Sequence, residues 1–117
     1  VSRVYVASKA KHGSMWIAMR DSQDVNIISS WIDLYEPGDI QDWRQFWLRC
    51  VAEVRSADYL LAAHFEDDGA WKGALVEIGV ALALDTPVLL VGEPPGTWIE
   101  HPGVTRVTMN EALEILR

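Results

Sequence analysis

From Gly73 to Leu84 every position is apolar or glycine except Glu77. A run of that length and character predicts a helix buried around most of its circumference. The turn Asp85-Thr-Pro87 ends it, and Pro87 to Val91 follows as a buried strand. Upstream, Arg3 to Ser8 is β-branched and aromatic, a first strand, and a helix begins at Met15 to Arg20 after a polar turn. Val25 to Ser30 predicts a second strand, and the Pro37-Gly38 pair a turn. Asp42 to Arg55 carries Trp43, Phe46, Trp47, Cys50, Val51 and Val54 at the three-and-four spacing of one helical face, with Asp39 or Asp42 serving its N-terminus. Asp58 to His64 is nearly continuously apolar, as a central parallel strand is. Val104 to Thr108 predicts a last strand, and Thr108 or Asn110 caps a final helix, Glu111 to Leu116.

Strands alternating with helices imply a parallel sheet covered on both faces. Five strands at this spacing predict an α/β, flavodoxin/Rossmann-like three-layer fold, with a five-stranded parallel sheet in the order 2-1-3-4-5. The 117 residues suffice for one core, so residues 1–117 are read as a single domain. In this topology ligands sit outside the carboxyl ends of the strands, where the order switches between the first and third.

Charge narrows the partners. A net charge of -7 excludes a general grip on nucleic acid, which needs clustered cations. Cys50 is the only cysteine, so no internal disulfide forms and a reducing, cytoplasmic setting is expected. No apolar run reaches membrane-spanning length and no signal-peptide pattern appears, so no membrane partner is expected. No metal or other cofactor is expected.

Four polar clusters then converge on the one crevice. Glu77 is the first: a carboxylate among small and apolar neighbours belongs to no solvated stripe, and its burial needs a partner, a proton or a cavity. The alternative is a carboxylate facing water at a gap in the packing. Ser8, Lys9, Lys11, His12 and Ser14 surround a helix start, where backbone N–H groups and the helix dipole suit an anion such as a 5'-phosphate. A solvated loop with incidental lysines is equally consistent with them. Trp31 and Asp33 follow the second strand, an aromatic for a base to stack on and a carboxylate to bond a ribose or ring edge; core packing and surface are the other reading. His64 to Lys72, with Asp67, Asp68 and Trp71, leads through Gly73 into the helix that carries Glu77.

The segments V-Y-V-A at Val4 to Ala7, A-D-Y-L-L at Ala57 to Leu61 and G-A-L-V-E-I-G-V-A-L-A-L-D-T-P-V at Gly73 to Val88 resemble the nucleoside 2-deoxyribosyltransferase superfamily, which includes 2'-deoxynucleoside 5'-phosphate N-hydrolases. The resemblance implies that Glu77 is a nucleophile at the anomeric carbon and that Tyr5, on the first strand, orients it. Trp71 and Gly73, at the entry to the Glu77 helix, join the candidate substrate-binding set. Two departures stand out: Cys50 and Trp71 occupy positions where the family usually carries aspartate.

The expected activity is cleavage or transfer at the N-glycosidic bond of a (deoxy)nucleoside or nucleoside 5'-monophosphate. Glu77 attacks, Tyr5 positions it, and Asp33 protonates the departing base, with Asp67 and Asp68 behind it. The rival from another class is a non-catalytic nucleotide-binding or sensing module. A third reading is an NAD glycohydrolase like Toll/interleukin-1 receptor-like domains, whose pattern before the helix glutamate is not found here. The Trp43, Phe46 and Trp47 stripe, together with the resemblance, predicts a homodimer or larger.

Overall fold

A computed structural model describes residues 1–22, 25–34 and 38–117. Five parallel strands form one sheet in the order β2-β1-β3-β4-β5, the expected topology. They are β1 (Arg3–Ala7), β2 (Asn26–Ile27), β3 (Tyr59–Ala63), β4 (Val88–Val91) and β5 (Val104–Arg106). Four helices connect or follow them: α1 (Gly13–Ser22), α2 (Trp43–Ser56), α3 (Gly73–Ala83) and α4 (Met109–Leu116). Right-handed crossovers put α2 and α3 on one face and α1 on the other, and α4 packs on β4. Accordingly α2 and α3 touch each other and β1. The core strands are apolar on both sides and buried, from Val4 to Ala7 and from Leu60 to Ala63. Among the described residues no helix is long and apolar enough to cross a membrane.

The second strand is shorter than the expected Val25 to Ser30. It pairs with β1 only at Arg3 with Asn26 and Val4 with Ile27. Beyond that point side chains replace the backbone ladder. The Val6 N–H donates to Ser29 Oγ at 3.1 Å, and Trp31 Nε1 donates to the Val6 carbonyl at 2.7 Å. With β1's groups satisfied in this way, the chain is free to leave the sheet, and Ser30–Asp33 coils into a 3-10 turn. The Pro-Gly turn expected at Pro37 and Gly38 lies in part outside the described residues.

Helix ends follow their local chemistry. Asp42, of the two candidates, caps α2 by accepting from the N–H groups of Arg44 and Gln45. Thr108 and Glu111 form a capping box, so α4 begins two residues before the expected Glu111. The N-terminus of α3 differs, because Lys72 at its N-cap position makes no side-chain cap.

The tips of β3 and β4 meet at a glycine. Gly92 has φ +94°, and a Cβ there would lie 2.0 Å from the His64 carbonyl oxygen. Gly92→Ala is therefore expected to destabilise the fold by about 2–4 kcal/mol, through both the clash and the positive φ. A urea denaturation midpoint matching that of the parent would contradict it.

Candidate active site

Tyr5 and Glu77 are 72 residues apart in sequence, and the sheet brings them together. Tyr5 lies mid-strand in β1 with its side chain on the face covered by α2 and α3, and its hydroxyl donates to Glu77 Oε2. Glu77 is on the second turn of α3 and only 6% exposed. Burial pushes its carboxyl up to about 8, and the Tyr5 hydroxyl acts in the opposite direction by favouring the charged form.

Beside this pair opens a cavity of about 260 Å3. It starts where β1 ends, with Ser8, Lys9 and Ala10, and continues past Trp31 and Leu34 to Trp71, Lys72, Gly73, Ala74 and Glu77. Its remaining wall is Ile40 with Trp43, Phe46 and Trp47 of α2. This is the crevice that the strand order implies. Phe46 stands edge-on to Trp43 on one side and Trp47 on the other, with ring centroids 5.4 and 5.5 Å apart. Trp47 reaches across to the start of α3, where a Cβ on Gly73 would lie 3.1 Å from its ring. Trp71 is buried against His64 and Trp98, and its indole N–H has no acceptor among the described residues. A second, more open hollow of about 490 Å3 lies along α2 at Trp47, Leu48, Val51, Ala52 and Arg55. Among the described residues no carboxylate or histidine lines that one; a third hollow, which shares Leu34, Ile40 and Phe46 with the first, is lined by Asp39 and Asp42.

Of the residues read as site candidates, the structure gathers Tyr5 and Glu77 as a bonded pair and Ser8, Lys9, Trp31, Trp71 and Gly73 along the cavity. It does not gather the rest. Lys11 and His12 turn instead to Asp68, at 3.5 and 2.8 Å. The Phe65 N–H also donates to Asp68, at 2.9 Å. Burial works to raise the Asp68 carboxyl, but these partners outweigh it and hold it below the usual carboxylate range. Asp68 is thus an ionised latch between two loops, not a proton donor. Ser14 is exposed and does not line the cavity. Asp33 is half exposed, pairs with Arg20 at 3.2 Å, and does not line the cavity either. The Ser8 hydroxyl accepts from Trp16 Nε1 at 2.9 Å, so part of its capacity is already used.

Sequence reasoning brought Lys72 to the crevice without giving it a role, and missed the part played by Trp43, Phe46 and Trp47. The aromatic spacing on α2 was visible, but it read as core and subunit contact. Trp43 is in fact 60% exposed, Phe46 and Trp47 are half-buried, and only Cys50 and Val54 further along the stripe are fully packed. Burial pushes the Cys50 thiol up to about 11, which leaves it an inert core group. Among the described residues no three His, Cys, Asp or Glu side chains group as metal ligands.

No family model and no curated protein matches the chain. Among solved structures it is similar to the CMP N-glycosidase BcmB of Clostridium botulinum. The two superpose with a TM-score of 0.63 at 16% sequence identity, over 97% of each chain. At that identity the likeness establishes the fold.

Proposed function

We propose that the protein cleaves the N-glycosidic bond of a nucleoside 5'-monophosphate, with Glu77 as the nucleophile at the anomeric carbon. The observation that carries this reading is the buried Tyr5–Glu77 pair opening on an aromatic cavity at the carboxyl ends of β1 and β3. A structural neighbour named as a CMP N-glycosidase supports the same class of bond.

The chemistry runs in two displacements. Glu77 attacks C1' as the bond to the base breaks, giving a glycosyl ester; water then attacks the same carbon from the vacated side and frees the sugar with retained configuration. Tyr5 holds the carboxylate oxygen in place. Positive charge developing on the sugar ring favours the ionised carboxylate and so offsets the effect of burial. Lys9 and Lys72, together with the uncapped N–H groups at the start of α3, supply positive potential for a 5'-phosphate.

A panel of ribo- and deoxynucleoside 5'-monophosphates, including cationic bases such as nicotinamide, tests the reading by chromatography of the released base. Base release from at least one nucleotide, with the first-formed sugar anomer retained, is the expected result. Binding without release from any member would instead favour a nucleotide sensor on the same fold.

A further inference from the structure

A neutral base departing from C1' must collect a proton, and a protein that cleaves such bonds needs an acid within hydrogen-bond reach. Among the described residues lining the cavity, Glu77 is the only carboxylate, and no histidine is present. Of the carboxylates nearest in sequence to the cavity walls, Asp42, beside Trp43, caps α2, and Asp39, beside Ile40, lines the adjoining hollow rather than the cavity itself. Asp33 faces Arg20, and Asp68 is held ionised by Phe65, His12 and Lys11. His64 bonds the Gly69 carbonyl at 2.6 Å. The described lining also lacks asparagine, glutamine and arginine, the side chains that bond the polar edges of a neutral base.

What the lining does hold is aromatic surface. Trp31, Trp43, Phe46, Trp47 and Trp71 line it, with one buried carboxylate and two lysines, Lys9 and Lys72. Ring faces attract a cation electrostatically, most strongly when it is shielded from water, and tryptophan does so best. The negative charge of Glu77 adds to that attraction, and a cation beside it favours the ionised form that can attack.

We propose, building on the glycosidase reading, that the substrate is a nucleotide whose base is a heteroaromatic cation, a pyridinium or an N-alkylated purinium on ribose 5-phosphate. The positive charge makes the base a leaving group without a protein acid. Glu77 Oε bonds to C1' while the C1'–N bond breaks, and its electron pair returns to the ring nitrogen, so the heterocycle leaves neutral. Water then replaces Glu77 at C1', giving ribose 5-phosphate and releasing one proton to solvent. Lys9 and Lys72 attend the phosphate, away from the cationic ring.

The test compares nicotinamide mononucleotide with cytidine 5'-monophosphate, and 7-methylguanosine with guanosine 5'-monophosphate. Each kcat/KM for base release is divided by the uncatalysed rate, because cationic bases leave more readily even in water. The expected result is at least a 100-fold preference for the cationic member of a pair after that correction. Faster turnover of the first cation identifies a pyridinium site, and of the second a purinium site. Trp47→Leu is expected to raise KM for the cation about tenfold with little change in kcat, and Trp47→Phe to restore it; Trp43→Leu, at an exposed position, repeats the test without a folding risk. Equal or faster cleavage of the neutral partners would overturn the proposal and leave the glycosidase reading standing. Absence of cleavage across all four nucleotides would overturn the proposal, and absence across the wider panel of ribo- and deoxynucleoside monophosphates would overturn the glycosidase reading as well.

Discussion

Glu77→Gln is expected to reduce base release by about 10^4-fold or more while leaving nucleotide binding near that of the parent. Loss of a nucleophile usually costs this much, because the remaining groups bind substrate but cannot form the covalent intermediate. Glutamine keeps the size of the side chain and still accepts from the Tyr5 hydroxyl, so the cavity keeps its shape. Tryptophan fluorescence titration measures the binding, since four of the indoles line the site. In the parent, kcat/KM is expected to rise with pH up to about 8, as the buried carboxyl of the free protein loses its proton. Release by the glutamine variant at the parental rate would remove Glu77 from the mechanism.

The same substitution is expected to stabilise the fold, increasingly so at alkaline pH. The carboxyl moves from a value near 4.5 to about 8 on folding, because burial penalises its charge. Below the lower value both folded and unfolded chains carry the neutral acid. Between the two values the unfolded chain has already released a proton that the folded chain still holds, so stability falls as pH rises; above the upper value the penalty is complete. That penalty reaches up to about 5 kcal/mol, reduced by the hydrogen bond from Tyr5. Glutamine cannot ionise and escapes it. Urea unfolding of both proteins at pH 5 and pH 9 isolates the effect, since other titrating groups cancel in the difference. A difference that does not grow between those pH values would show that the fold tolerates the charge.

Much of this was legible in the chain, for physical reasons that differ by residue. Alternation of strand and helix patterns fixes the layers, and the handedness of crossovers leaves few topologies open. Glu77 stood out because a charge without polar neighbours contradicts its surroundings. Tyr5 carried no such signal, since a tyrosine in a buried strand reads as core, and only the family resemblance pointed to it. Periodicity identified the inward face of α2, but it cannot tell whether that face meets side chains or a void. Trp43, Phe46 and Trp47 were therefore read as packing and contact. The Lys11–His12 pair illustrates the opposite limit. A lysine and a histidine at a helix start do suit an anion, but here the anion is Asp68, more than fifty residues away and invisible to local spacing. Asp33 is tied to Arg20 by the same kind of non-local pairing.

Position 73 has a consequence for how the site can change over evolutionary time. Because the Trp47 ring occupies the space a side chain at 73 would need, one added methyl group would press on the indole and narrow the room left for a ligand. The shape of the cavity can therefore be retuned at a single codon, on the first turn of α3, without touching Glu77 or the sheet that supports it.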